Sequence, residues 1–378
     1  MPPPEADDGD TALLLKLRER IRRDGPLSVD AYMQACIGDP EHGYWRRRDT
    51  IGAAGDFVTA PEISQIFGEL IGLWCVVTWQ QLGMPKPLRL IELGPGRGTL
   101  MRDALRAARK VPGFLEAATV HLVEISSVLR EAQREMLAAT QPSAGMDPRL
   151  RGDDGGHSVT WHDSVGDVPE GAAIIVANEF LDALPIRQLV HVDGAWHERV
   201  VALDAQTALA FAQGEKVNFP ADASLQPKAG AIIELREGED LLLAELAARR
   251  DPLVALFIDY GPASATVGDT LQAVRRHGYV DPLAAPGTAD LTAHVLFAGL
   301  AGKADAAGLA ADGPMTQAEF LGRLGIAERA TRLMAANPAK AAQIEAGVQR
   351  LMAPTGMGQL FKVLAVRSRT LPAPVPFG

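Results

Sequence analysis

Apolar positions along the chain recur in two rhythms. Over 11–23 (TALLLKLRERIRR), Leu13, Leu17 and Ile21 fall on one stripe at helical spacing, with basic residues around them. Gly25-Pro26 stops this helix, and Ser28 is placed to cap a second, shorter one. A glycine-rich approach, GAAGDFVTAPEIS (52–64), leads to Pro61 in the first turn of a long amphipathic helix. Its apolar residues Ile63, Ile66, Phe67, Leu70, Ile71, Trp74 and Val77 recur every three or four positions until Gly83. From residue 88 the rhythm changes. Short apolar runs now alternate with helical stretches: LRLIEL (88–93), TVHLVEI (119–125), VTWHD (159–163), AAIIVANEF (172–180), VALFIDYG (254–261) and FKVLAVRS (361–368). Strands alternating with helices predict βαβ units around a mostly parallel sheet, an α/β chain of Rossmann-like type.

Three stretches depart from that alternation. Residues 142–158 have no periodicity and read as a surface loop, whereas 190–236 alternate as antiparallel hairpins do. Residues 300–350 are Ala-rich and helical in pattern, and are expected to form a lid. The expected organisation is an N-terminal helical segment, 1–85, packing over the active face. A core follows over 86–378, with hairpins inserted at about 190–250 and the helical lid at about 300–350.

Composition narrows the partners. The 378 residues are 47% hydrophobic and 22% charged, ordinary for a globular chain with a large core. Lys and Arg number 37 against 47 Asp and Glu, a net charge of −10, and this argues against a nucleic-acid partner. The apolar stretch 63–79 is interrupted by Ser64, Gln65 and Glu69, so no membrane insertion is expected. Two cysteines, Cys36 and Cys75, make no disulfide framework, and no Cys/His spacing suits a metal. Glu5, Asp7, Asp8 and Asp10 fit neither a secretory signal nor a mitochondrial presequence, so a cytoplasmic location is expected.

The chemistry begins at Glu92-Leu93-Gly94-Pro95-Gly96-Arg97-Gly98-Thr99, which leaves a strand and opens a helix. A dinucleotide fingerprint would want a small third residue where Thr99 stands. The pattern, an acid followed by Gly-x-Gly-x-Gly, instead resembles the first motif of class I S-adenosylmethionine (SAM) methyltransferases. In that reading Gly94, Gly96 and Gly98 let the backbone approach the cofactor, and Glu92 receives its ammonium group. The second strand ends in Glu124, positioned for ribose hydroxyls. The third ends in Asp163, which suits either the adenine amino group or a solvated helix cap. The fourth ends in Asn178, Glu179 and Asp182, where open α/β sheets present ligands; the alternative for these three is a capped helix start. Asp56 and Glu62 are candidates to close the site from the N-terminal side, or else to cap the helix after Pro61. No HxH, HExxH or GxSxG pattern occurs.

Taken together, GDFVTAPEIS (55–64), ELGPGRGT (92–99), ANEFLDALP (177–185), DYG (259–261), DPLAAPGTADLTAHV (281–295) and MGQLFKVLAV (357–366) resemble the MidA family over about residues 25–366. The family's mitochondrial member is a complex I assembly factor. The resemblance implies a SAM-dependent protein arginine methyltransferase whose partner is a protein substrate, the complex I 49-kDa subunit in relatives. One departure stands out: Leu296 occupies a position where an Asp is expected. A guanidinium acceptor calls for carboxylates to hold its charge, and Glu179 with Asp182 is the pair expected to do so. Two alternatives remain at this level: another amide or amine acceptor, and a non-catalytic assembly factor.

Overall fold

The structure is a computed structural model and describes residues 11–46, 58–138, 159–219, 227–264 and 268–378. The candidate Asp56 and the stretch 142–158 lie outside these residues. The central sheet has seven strands: β1 (Leu88–Leu93), β2 (Ala118–Val123), β3 (Val159–His162), β4 (Ala172–Asn178), β5 (Leu253–Tyr260), β6 (Leu309–Thr316) and β7 (Phe361–Ser368). Their spatial order is β3-β2-β1-β4-β5-β7-β6. The first five run parallel to one another, and β7 runs antiparallel to both β5 and β6. The order reverses direction between β1 and β4, and a crevice at such a switch point is where open sheets take ligands.

Near-continuous apolar runs make β1, β4 and β5 because both faces of a parallel sheet are covered. On one face lie helices Gln65–Gln81 and Thr99–Ala108 together with the group Gln317–Arg323, Ile326–Ala336 and Ala341–Met352. Phe67, Trp74, Leu105, Phe320 and Leu351 are among their buried residues. Glu237–Ala247 and Phe297–Ala306 cover the other face through Leu243, Leu246, Phe297 and Leu300. Gly72 allows two of these helices to approach closely: a Cβ there would stand 2.4 Å from Ala104 O.

Two small sheets are inserted. Between β4 and β5, strands Arg187–Val192, Ala195–Leu203, Leu209–Val217 and Ile232–Leu235 form a sheet that also recruits Leu27–Ser28, with Leu27 opposite Val201. Between β5 and β6, Gln272–Arg275, Gly278–Val280 and Asp290–Thr292 form a three-stranded sheet. Helices Ala12–Asp24 and Val29–Gly38 pack on these insertions, burying Leu13, Leu17, Tyr32 and Met33 with Val201 and Leu291. The N-terminal 85 residues thus divide between two cores, since Gln65–Gln81 belongs to the central one.

Two elements differ from the sequence pattern. The helix expected to run from Pro61 to Gly83 is broken at Ser64, whose extended backbone (φ −154°, ψ 128°) starts a second helix by accepting from Ile66 N at 3.3 Å. The stretch 300–350 is not helical throughout, because β6 crosses it. As an edge strand paired only to β7, β6 tolerates Asp312, Gly313 and Pro314, with a register shift between Asp312 and Met315. No described helix is long and apolar enough to cross a membrane.

Candidate functional site

The carboxyl ends of β1 to β4 open into a cavity of about 370 Å³, a volume that suits a small cofactor. The turn after β1 lines it with Gly94 and Gly96, both in the left-handed region (φ +60° and +53°). At Gly94 a side chain is excluded twice, by that backbone and by Phe180, whose Cδ2 would lie 2.7 Å from a Cβ. Gly98 (φ +83°) is outside the lining and caps helix Thr99–Ala108, so it bends the chain and does not face the cavity.

Glu92 lines the cavity and is only 3% exposed. Burial pushes its carboxyl up to about 8, against a smaller pull from the Met101 main chain. Its Oε2 is buried with no hydrogen-bond partner. A buried, unsatisfied carboxylate oxygen is costly, and a ligand ammonium would satisfy it.

At the end of β2, Glu124 is held from both sides. Oε1 accepts from Ser126 N at 2.7 Å and Oε2 from Gln133 Nε2 at 3.3 Å. Burial raises this carboxyl above its ordinary range, while those donors pull it back. Gln133 is fully buried (0% exposed) and bridges the site. Its Nε2 also donates to Gly96 O at 2.7 Å, and its Oε1 accepts from Trp161 Nε1 at 2.8 Å. Asp163 lines the far end, and its Oδ1 accepts from Arg130 Nη2 at 2.5 Å. Arg130 also donates to the carbonyls of Glu124 and His162, at 2.6 and 3.0 Å, and so ties the two strand ends together.

At the end of β4 the chain turns sharply. Glu179 has φ +50°, unusual for a residue other than glycine. Its Oε1 accepts from Asn178 Nδ2 at 3.0 Å and from Ala60 N at 2.9 Å. Burial lifts the Glu179 carboxyl to about 8. Both its Oε2 and Asn178 Oδ1 are buried without partners, and both residues line the cavity. Asp182 does not join them there. It is 5% exposed and outside the lining, with Tyr260 and Arg236 as its polar surroundings, and burial raises it to about 6. Glu62 does reach the cavity, where its Oε1 accepts from Thr99 Oγ1 at 2.5 Å.

Several lining residues were not singled out from the sequence. Gln34 and Ile37 come from helix Val29–Gly38, and Trp45 is anchored through its carbonyl, which accepts from Ser126 Oγ at 2.7 Å. Gln133 left a readable trace: it shares the buried stripe of Ser127–Ala138 with Leu129 and Leu137, and a polar residue on such a stripe needs partners. Leu296 is outside the lining and is the N-cap residue of Phe297–Ala306, so its departure falls on a helix start rather than on this cavity. Among the described residues, no cluster of His, Cys, Asp and Glu is arranged to hold a metal.

A family profile described as "Putative S-adenosyl-L-methionine-dependent methyltransferase" matches residues 70–315. The chain belongs to this family of MidA-type methyltransferases. It is 36% identical to the mitochondrial protein arginine methyltransferase NDUFAF7 homologue of Drosophila melanogaster, covering 96% of this chain and 86% of that one. To the human mitochondrial protein arginine methyltransferase NDUFAF7 it is 35% identical, over 96% and 84% respectively. A Burkholderia thailandensis protein solved with S-adenosyl-homocysteine bound superposes with a TM-score of 0.81, at 28% identity, over 99% of this chain and 96% of that one. The fold of this methyltransferase is that of class I SAM enzymes, and its cofactor is SAM. The residues present fit that cofactor: a glycine turn in left-handed backbone with no room for a side chain at Gly94, an unpaired Glu92 oxygen and a fixed Glu124.

Proposed function

We propose that this methyltransferase methylates a guanidinium of a protein arginine, with Asn178 and Glu179 at the acceptor end of the cavity. The observation that carries the reading is the two unpartnered oxygens, Glu179 Oε2 and Asn178 Oδ1, both buried on cavity-lining residues at the end of β4. Relatives over nearly the whole chain named as protein arginine methyltransferases support the same choice. Glu92 would hold the methionyl ammonium, Glu124 the ribose and Asp163 the adenine edge. SAM supplies an electrophilic methyl group on a sulfonium.

The acceptor presents the difficulty. A guanidinium stays protonated above pH 12 and its nitrogen lone pairs are delocalised, so it is a poor nucleophile. Oxygens that accept from two of its nitrogens hold the positive charge there and leave the third more able to attack. Each such charged hydrogen bond contributes about 1.5–3 kcal/mol. Orientation of the reacting groups contributes more, about 7–11 kcal/mol in well-aligned systems. Glu179 and Asn178 make the contacts in this reading, while Asp182 adds negative charge from behind the turn. Glu62 closes the wall on the N-terminal side.

The complex I 49-kDa-type subunit is the proposed protein partner, following the family resemblance. Cys36 and Cys75 are buried free thiols, which suits a reducing compartment, and we place the reaction in the cytoplasm. The test is Glu179→Gln. Affinity for S-adenosylhomocysteine should stay within a few fold while methyl transfer falls by orders of magnitude, because the amide keeps the shape but not the charge. Mass spectrometry should find added methyl groups on arginine only. Transfer to lysine, or full activity in the variant, would overturn the reading.

A further inference from the structure

We infer that Asp259, which never touches the cavity, is the positioning residue that aims the Glu179 carboxyl at the acceptor; this rests on the arginine methyl-transfer reading. Asp259 lies near the end of β5 and is 1% exposed. Its Oδ2 accepts from three consecutive main-chain donors, Phe180 N at 3.2 Å, Leu181 N at 2.9 Å and Asp182 N at 3.2 Å. Its Oδ1 accepts from Tyr260 N at 2.9 Å. These three donors belong to the residues directly after Glu179.

Gathering three successive N–H groups onto one oxygen folds the chain back on itself immediately after Glu179. That fold-back is what a left-handed residue permits, and Glu179 is the residue that adopts it, at φ +50°. A branched or longer chain at 179 gains nothing from this conformation, so something outside the residue must hold it. On the other side, Glu179 N donates to Ile258 O at 2.9 Å, so the turn is fixed at both ends by the tip of β5. Arg236 Nη2 reinforces it by donating to Leu181 O at 2.7 Å, and Ala293 N donates to Asp182 O at 2.9 Å. The result is a Glu179 side chain whose Oε1 reaches Ala60 N while Oε2 stays unpartnered.

Burial and the neighbouring Asp182 raise the Asp259 carboxyl well above its ordinary range, and the Tyr260 and Asp182 main-chain donors pull it back. In its ionised form the group only accepts, which suits four N–H donors, three on Oδ2 and one on Oδ1. An asparagine of the same size turns an NH₂ toward N–H donors whichever way it is placed. At least one donor group is then left facing a donor.

The experiment uses the full chain with Asp259→Asn and Asp259→Ser, each alone and combined with Glu179→Gln. Binding of S-adenosylhomocysteine, by calorimetry, is expected to stay within about fivefold. In the wild-type background each Asp259 substitution should lower kcat for an arginine substrate by about 30-fold or more. In the Glu179→Gln background the same substitution should change the residual rate by less than about threefold, because what it positions is already gone. Crystal structures of the two single variants should show Glu179 out of its φ +50° conformation, with the contact to Ala60 lost. Equal losses in both backgrounds would overturn the inference, as would both variants failing to fold, since Asp259 would then serve the fold alone. If the wild-type protein methylates no arginine, the functional reading fails, and the conformation of Glu179 in the variant crystals decides the positioning claim by itself.

Discussion

The main-chain N–H of Ala60 donates to Glu179 Oε1 over 2.9 Å, joining residues 119 positions apart. Through it the N-terminal approach completes the surroundings of the carboxyl at the end of β4. The donor favours the ionised form of Glu179, opposing the burial that lifts it to about 8.

Ala60→Pro removes this donor at a helical N-terminus, where proline is tolerated. Thr59 is already extended (φ −76°, ψ 161°), as a residue before proline must be. With the donor lost, the Glu179 carboxyl should rise further. The ascending limb of kcat/KM against pH, which reports the free enzyme, should move to higher pH by about one unit. An unmoved profile would show that the contact has no influence on Glu179.

In the proposed reading Glu92 receives the cofactor's ammonium, so cofactor binding should release a proton. Burial pushes its carboxyl up to about 8, and it must be ionised to meet an ammonium. Affinity for S-adenosylhomocysteine should therefore rise with pH from 6 to 8, approaching tenfold per unit. In Glu92→Gln the binding should weaken and the slope flatten, as calorimetry in two buffers of different ionisation enthalpy would show. The sign for stability is opposite. A carboxyl raised in the folded state stabilises it fully only below the unfolded pKa, near 4.3, and that contribution is lost as pH rises toward 8. The ligand-free protein should accordingly melt at lower temperature at pH 8 than at pH 6, with Glu92→Gln reducing the difference.

Gln133→Leu keeps the volume of the stripe but strips partners from Gly96 O, Glu124 Oε2 and Trp161 Nε1. Leaving buried polar groups unpaired costs about 1–3 kcal/mol each, less where water enters, so a total loss of about 2–4 kcal/mol is expected. Affinity for S-adenosylhomocysteine should drop at least tenfold because the glycine turn and Glu124 lose their shared anchor. Denaturant unfolding and calorimetry measure the two effects.

Leu296→Asp should stabilise the protein by about 0.5–1 kcal/mol, since an aspartate N-cap satisfies main-chain donors that leucine leaves bare. Methyl transfer should be unchanged, because position 296 is outside the cavity lining. A change in acceptor preference would tie this position to substrate instead.

Most of the central sheet was legible because β1, β4, β5 and β7 are apolar runs bounded by helical stretches, and burial on both faces leaves little room for ambiguity. β6 was not, since its Asp312, Gly313 and Pro314 erase the strand pattern that an edge position does not require. That Glu92, Gly94, Gly96 and Glu124 meet at one cavity could be read because strand ends and the turn after β1 put them together. Asp182 was misplaced for a backbone reason: with Glu179 at φ +50°, the chain doubles back and sends Asp182 toward Tyr260, away from the cavity. Trp45, Gln34 and the Ala60 donor reach the site only through tertiary packing across long separations, and no local spacing announces that.

The position of β7 between β5 and β6 bears on how the molecule is made. β5 is buried along all eight residues, and until residues 361–368 leave the ribosome one of its edges has no partner. β6 has no strand neighbour before then. During that interval the nascent chain displays an apolar strand with open N–H and C=O groups, which is the template on which other chains aggregate. A message cut short upstream of codon 361 would therefore yield insoluble protein and a burden on chaperones, not a weakened enzyme.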